Sequence, residues 1–301
     1  MKKSYLNAIS LVLLIFAVSC TTIENQKVIH IVTSPGESAI IKIPDLNNSL
    51  KIMQITDSHI SIADENEADL MQFGERMHKA YLNPRKHYRL DTTETTFEYL
   101  DDLLQKAKYE NVELLLLTGD IVNFPSAVSA NYVYGRIMNT GIPWLYISGN
   151  HDWHYEGMPG TLDSLRKTWI NRSLLPLYNG HNPLSYSEII NGINFVGIDN
   201  STGQVNNDQI EFLKDQLTRT EPIILLSHIP YKFDSEEDQP EMDAIVDLIS
   251  ANCDKVVAIF TGHNHRSIYY FTGNMCQYVS PASFNGASFI VDIKPEKLPI
   301  P

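Results

Sequence analysis

Four consecutive leucines, Leu114–Leu117, lie within the run Val112–Leu117 and directly before Thr118-Gly119-Asp120; no other feature constrains this chain as strongly. Successive side chains of an extended strand point to opposite faces. A strand that is apolar at consecutive positions must therefore be covered on both. The preceding segment, Thr92–Tyr109, carries Phe97, Leu100, Leu103, Leu104 and Ala107 at helical spacing. A helix leading into a doubly covered strand points to α/β layering.

The rest of the chain continues that alternation. Val28–Ile43 reads as a hairpin around Ser34-Pro35-Gly36, and Leu50–Thr56 as a strand. After Leu117 the pattern predicts a helix near Ser126–Asn139, a strand at Pro143–Ile147 and an irregular stretch from Trp153 to Asn182. Strands at Leu184–Ile190 and Ile193–Ile198, a helix at Asn207–Leu217, a strand at Pro222–Ser227 and a helix at Pro240–Ala251 follow. The last quarter is mostly strand, at Lys255–Phe260, Ile268–Phe271, Gln277–Ser280 and Phe289–Ile293. No repeat or low-complexity linker divides it, so residues 28–301 read as one domain, with 28–49 an N-terminal hairpin extension.

The first residues are of another kind. Lys2 and Lys3 precede an apolar run from Ala8 to Val18, too short for the roughly 20 residues that span a bilayer. Residues 1–19 therefore read as a secretory signal peptide. Ala17-Val18-Ser19-Cys20 resembles the bacterial lipobox, which implies cleavage before Cys20, its lipidation, and a tether of residues 20–27. The expected product is exported and lipid-anchored to a bacterial membrane, in the periplasm or at the cell surface. Loss of Lys2 and Lys3 would take the formal charge from −13 to −15. So acidic a surface argues against general nucleic-acid binding, which depends on Lys and Arg neutralising phosphates. The remaining cysteines, Cys253 and Cys276, could pair in an oxidising compartment or stay as separate thiols.

Metal-binding residue types recur at the C-terminal ends of the predicted strands. Asp57-Ser58-His59 follows the first, Gly119-Asp120 the second and Gly149-Asn150-His151-Asp152 the third, and Ser227-His228 and Gly262-His263-Asn264-His265 complete the series. In α/β sheets ligands bind beyond the carboxyl ends of the strands, so five segments converge on one edge. Residues i and i+2 of an extended chain point the same way, with Cα atoms roughly 6.5–7 Å apart. By that reasoning Asp57/His59 and His263/His265 can each aim two ligands into one pocket.

This ordered set, D-x-H, G-D, G-N-H-[DE], H and G-H-x-H, resembles the calcineurin-like metallophosphoesterase superfamily over about Leu50 to Ile293, including INFVGIDNS and QIEFLKDQL. The resemblance implies a four-layer α/β/β/α sandwich of two mixed β-sheets, with the metal site at strand C-terminal ends. It implies two divalent metal ions, one held by Asp57, His59, Asp120 and His265, the other by Asp120, Asn150, His228 and His263, with Asp120 bridging. His151 would hold no metal and would act as the catalytic residue that meets the departing oxygen or the phosphoryl group. The implied activity is hydrolysis of phosphate mono- or diesters, nucleotide-type or broad, by attack of a metal-bridging hydroxide on a small phosphorylated substrate.

Charge supports that expectation. Two divalent cations outweigh the carboxylates of Asp57 and Asp120 and one hydroxide, so the centre would stay cationic within an acidic chain and attract a phosphate ester. Mixed nitrogen and oxygen ligands suit Mn, Fe, Zn, Co or Ni without choosing among them. Taken singly, Asn150 beside a glycine is a turn former and His228 before Ile229-Pro230 a core histidine; five of ten histidines in ordered motifs weigh against that reading.

Asn123, in Gly119-Asp120-Ile121-Val122-Asn123, stands where purple acid phosphatases carry a metal-binding Tyr and phosphoprotein phosphatases an Asp, so neither subgroup is favoured. Specificity is expected in insertions. Residues 76–90 hold Arg76, Lys79, Arg85, Lys86 and Arg89 with Tyr81 and Tyr88, and read either as a solvated helix face plus loop or as a lid gripping a second phosphate or a base. Trp153–Asn182 is a second candidate wall. The alternative function is a non-catalytic, metal-containing surface lipoprotein that binds a phosphorylated ligand or a protein partner. An intact GNHD with His151 favours the enzyme.

Overall fold

The structure is a computed structural model that describes residues 27–233 and 240–296. The expected signal peptide, Cys20, nearly all of the expected tether and the last five residues lie outside the described residues.

The chain opens with the hairpin β1 (Ile29–Ser34) and β2 (Ser38–Pro44), followed by β3 (Leu50–Ile55). α1 (Met71–Tyr81), a two-residue pair β4 (Arg85–Lys86) and β5 (Thr93–Glu94), and α2 (Thr96–Tyr109) come next. β6 (Leu114–Thr118), α3 (Ala127–Met138), β7 (Trp144–Ile147) and α4 (Asn150–Trp153) carry the second and third motifs. α5 (Leu162–Trp169) and α6 (Leu175–Tyr178) lead to β8 (Ser185–Ile190), β9 (Ile193–Ile198), α7 (Asn207–Leu217), β10 (Ile223–Leu226) and α8 (Pro240–Ser250). β11 (Val256–Thr261), β12 (Ile268–Thr272), β13 (Met275–Val279) and β14 (Phe289–Glu296) close it.

Two six-stranded mixed sheets result, ordered β1-β2-β14-β3-β6-β7 and β12-β13-β11-β10-β9-β8. The hairpin is built into the first sheet, because β2 pairs in parallel with β14. Strand alternation sorts the core into layers. Leu115 and Leu117 face α1, α2 and α3 in one cluster. Leu114 and Leu116 face Phe195, Leu226 and Phe260 of the other sheet. Val196, Leu225 and Ile259 face α7 and α8 in a third cluster. The expected four layers, helix, sheet, sheet, helix, are present, and the four leucines of β6 are covered on both sides as their sequence requires.

The helices start where their caps dictate. Thr95 and Glu98 form a capping box on α2, and Asn206 and Gln209 one on α7. The stretch from Trp153 to Asn182, expected to be irregular, is instead largely helical. Thr161 caps α5, a π-turn at Ile170–Leu174 follows, and α6 begins over Pro176. Trp169, Ile170, Leu174, Leu177 and Tyr178 are buried by it. The π-turn and proline break the 3.6-residue period, which is why the sequence pattern does not display the helices. This segment fills the core beneath the first sheet's helices. No disulfide joins Cys253 and Cys276.

Candidate metal centre

Asp57 and His59 follow β3, Asp120 follows β6, Asn150 opens α4 after β7, His228 follows β10, and His263 and His265 follow β11. β3, β6 and β7 are parallel neighbours in one sheet, and β10 and β11 in the other. Their C-terminal ends therefore meet at one edge. Pairing continues past the strands: Asp57 N–H donates to Gly119 O (2.9 Å), His59 N–H to Asp120 O (3.0 Å) and Gly262 N–H to His228 O (2.9 Å). Just beneath, the buried Gln54 amide donates to Thr118 Oγ1 (2.7 Å) and to Thr261 O (2.9 Å), joining the two sheets.

The pairs do not converge by extended alternation as expected. Asp57, His59, Asp120, His263 and His265 all have positive φ, between 46° and 65°. For non-glycine residues this left-handed conformation is costly, and it persists where the surrounding structure enforces it. Here the cross-loop hydrogen bonds enforce it, and each turn throws a side chain into the cleft. Gly149 and Gly262 permit the approach: a Cβ on the first would strike the Asp120 carboxylate, and on the second the side chains of Thr56 and Asp57.

The ligand atoms fall into overlapping groups, each within 4.8 Å: Asp57, His59 and His265; His59, Asp120 and His151; and Asp120, His228 and His263. Asp120 Oδ2 lies 3.8 Å from His59 Nε2 and 3.2 Å from His228 Nε2, between the two outer groups. His265 Nε2 is 3.2 Å from Asp57 Oδ1, whereas His263 Nδ1 is 3.3 Å from His228 Nε2. The two histidines of GHNH thus point to different groups, and Asn264 between them is exposed. The ring of His151 stands edge-on to His59 at 4.8 Å, and its backbone N–H donates to Asp120 Oδ1 (2.7 Å).

Whether divalent cations fit is answered by atoms left without partners. His59 Nε2 and Asn150 Oδ1 are buried with no hydrogen bond, and both are acceptors. Their neighbours explain why. His59 donates from Nδ1 to Asn123 Oδ1 (3.0 Å), whose orientation is set by Asn123 Nδ2 donating to Met77 O (2.7 Å), so the lone pair of His59 lies on Nε2. His228 donates from Nδ1 to Thr118 O (2.8 Å), again turning Nε2 inward. Asn200 Oδ1 accepts from the backbone N–H of His228 (3.2 Å) and Ile229 (3.0 Å), clamping that loop.

Electrostatics follow from burial. Desolvation opposes charge on His228, yet Asp120 beside it pushes the imidazole up to about 10. Burial holds His59 down to about 4 despite Asp120. Asp57 and Asp120 are held below the ordinary carboxylate range even though burial opposes it, Asp57 by His265 and His228, Asp120 by His228. Burial, and then the charge of Asp120, raise Asp152 to about 7. Asp152 has another task, accepting from Val122 N–H and Gly149 N–H at 2.8 Å each, which fixes the turn before Asn150.

Four neighbours escaped assignment from sequence. Asn123 was visible only as a departure from other subgroups, and Asn200 only within INFVGIDNS. Tyr81 lies flat on His59, ring centres 4.4 Å apart and planes 13° apart, so residues 76–90 reach the site. Phe284 completes this wall, 5.6 Å from His59 and 5.0 Å from His265.

The family model described as calcineurin-like phosphoesterase matches residues 50–267. A probable cyclic nucleotide phosphodiesterase of Fibrobacter succinogenes is 25% identical over 240 residues, 78% of this chain and 80% of that protein. An uncharacterized metallophosphoesterase of Campylobacter jejuni is 22% identical over 234 residues, 77% of this chain and 48% of that protein. Among solved structures, a dimetal phosphatase from Danio rerio superposes with TM-score 0.53 at 11% identity, covering 80% of this chain and 91% of its own. That last likeness speaks to the fold alone. The chain belongs to the calcineurin-like phosphoesterase family.

Proposed function

We propose that this protein is an exported, lipid-anchored phosphoesterase that hydrolyses phosphate mono- or diesters of small, nucleotide-type molecules at a centre of two divalent metals. The observation that carries the reading is Asp120 Oδ2, set between His59 Nε2 at 3.8 Å and His228 Nε2 at 3.2 Å, with unpartnered acceptors around it. Asp57, His59, Asp120 and His265 would hold one ion; Asp120, Asn150, His228 and His263 the other. When bound, the ions supply positive charge for the phosphoryl oxygens and acidify a water.

The chain's own groups do the rest. Asn123 and Thr118 hold His59 and His228 in the tautomers that ligation needs. His151 is anchored through its backbone to Asp120, and its half-buried ring faces the cleft with Nδ1 unpartnered. In this reading it gives a proton to the departing oxygen as the P–O bond breaks. The Fibrobacter relative's name makes cyclic nucleotides one substrate class to test. The membrane anchor rests on Ala17–Cys20 and the preceding apolar run.

The test is a turnover panel of monoester, diester, cyclic nucleotide and pyrophosphate substrates, run with measured metal content. Hydrolysis that scales with two bound ions per chain supports the reading. Full metal content without turnover of any ester would leave a binding protein instead.

A further inference from the structure

Residues 148–153 carry Asn150 and His151, and both ends of that segment are tied to one carboxylate outside it. Asp199, which follows β9 of the opposite sheet, is fully buried. Its Oδ2 accepts from Ser148 Oγ (3.1 Å), where the chain leaves β7. Its Oδ1 accepts from Ser201 Oγ (2.5 Å) and Ser201 N–H (2.8 Å). Ser201 Oγ accepts in turn from Trp153 Nε1 (2.8 Å), at the end of α4. Asp199 is itself fixed by its main chain, with its N–H donating to Leu184 O (2.9 Å) and its carbonyl accepting from Gln209 Nε2 (2.7 Å). A turn gripped at both ends by an immobile group has little freedom to shift the ring it carries.

A buried carboxylate is costly unless a cation meets it. Arg166 of α5, also buried, sets Nη1 3.5 Å from Asp199 Oδ2, while its Nη2 donates to the exposed Asp163 (2.8 Å). The helical segment 162–178 therefore does more than fill the core, since it carries the countercharge of the group that grips the turn. Among the described residues Asp199 belongs to none of the side-chain groups that could hold a metal. Its contacts lead to the turn instead. Asp152 steadies the same turn from within, through Val122 N–H and Gly149 N–H, and Asp199 steadies it from across the seam between the sheets.

We propose that Asp199 is a positioning residue: through Ser148 and the Ser201–Trp153 pair it holds α4 so that His151 meets the departing oxygen, with Arg166 as its buried counterion. The inference goes beyond the phosphoesterase reading but rests on it for the task of His151. A shift of about 1 Å in a group that must meet the reacting atoms costs on the order of a hundredfold in rate, so loosening this grip should register in turnover before it registers in substrate binding.

The test uses the full chain loaded with Mn²⁺, its metal content and melting temperature checked for every variant. Asp199→Asn removes the charge; Trp153→Phe keeps an aromatic ring and removes one arm of the grip, and it serves if the first variant does not fold. Each should lower kcat for esters of poor leaving groups by about tenfold to a hundredfold, with KM little changed and esters of good leaving groups less affected. Arg166→Met should follow the same pattern and Arg166→Lys recover part of the loss. In a His151→Ala background these substitutions should cost almost nothing further, because the ring they position is gone. Losses that add in full to that of His151→Ala, or that fall equally on good and poor leaving groups, overturn the assignment and leave the phosphoesterase reading standing. In the metal-free protein the ring resonances of His151, identified by their loss in His151→Ala, should shift in Trp153→Phe while those of His30 stay. Unmoved His151 resonances overturn the assignment whether or not any ester is turned over. Failure of metal-loaded wild type on every ester overturns the phosphoesterase reading and the proton-donor task together, and the resonances then decide by themselves whether Asp199 sets the ring.

Discussion

The ring of His59 is aimed by Asn123: Nδ1 lies 3.0 Å from the side-chain oxygen, and Asn123 is itself held by its bond to the Met77 carbonyl. The contact exists because Asn123 ends the stretch that runs beside residues 57–60, its N–H donating to Ile60 O (2.9 Å).

Asn123→Ala should therefore weaken metal binding roughly 10–100-fold, the usual cost of losing a group that orients a ligand. Competition titration with a chelating dye measures it, and a melting curve of the metal-free protein separates it from misfolding. Unchanged affinity would mean that stacking on Tyr81 alone orients His59.

His151→Ala is expected to keep both metals and to slow esters of poor leaving groups by on the order of 10²–10⁴, while esters of good leaving groups suffer less. Because His151 forms a tight group with His59 and Asp120, metal content is the decisive measurement. Loss of one ion would move His151 from proton donor to ligand.

Metal uptake should release protons. His228 is held up at about 10 by Asp120 when no ion is bound, so its ring is charged at neutral pH, yet ligation requires the neutral form. For a raised pKa, the proton's contribution to the metal-free fold is complete below 6.5 and lost as pH rises toward 10. Metal affinity should climb over the same window, by up to about tenfold per pH unit for one displaced proton. Calorimetry in two buffers of different ionisation enthalpy counts the protons, and a count of zero would contradict the assignment.

His30 gives a pH effect of opposite sign, far from the ligands in sequence. Burial lowers it to about 4, and its ring nitrogens meet Tyr278 Oη (2.7 Å) and Asn274 O (3.0 Å). A histidine depressed in the fold stabilises it above 6.5, and that contribution is lost as pH falls toward 4. The upper limit is about 3 kcal/mol, reduced by partial exposure of the ring. Denaturant unfolding of the wild type and His30→Gln at pH 7.5 and 4.5 should show the gap between them narrowing at the lower pH. A constant gap would place the cost of protonation elsewhere.

The candidate ligands were legible as a set because each sits in a short motif beside a glycine or a strand end, and strand ends can be read from apolar runs. The way the ligands converge was not. Positive φ at Asp57, His59, Asp120, His263 and His265 depends on bonds between loops far apart in the chain, which no local pattern carries. Residues 76–90 show the same limit: what neutralises Arg76 and Arg89 comes from Glu156 and Glu37, far away in the chain. In the helices at 162–178 the π-turn hid a period that was otherwise apolar enough to see.

Each proposed ion draws ligands from both sheets, His265 joining Asp57, His59 and Asp120, and His228 and His263 joining Asp120 and Asn150. The centre then works as a clasp across the seam of the sandwich. Any opening of the two sheets at that edge would dismantle it, so loading the ions should slow hydrogen exchange on both sides of the seam together. Neither half of the fold could keep the chemistry if it were separated from the other.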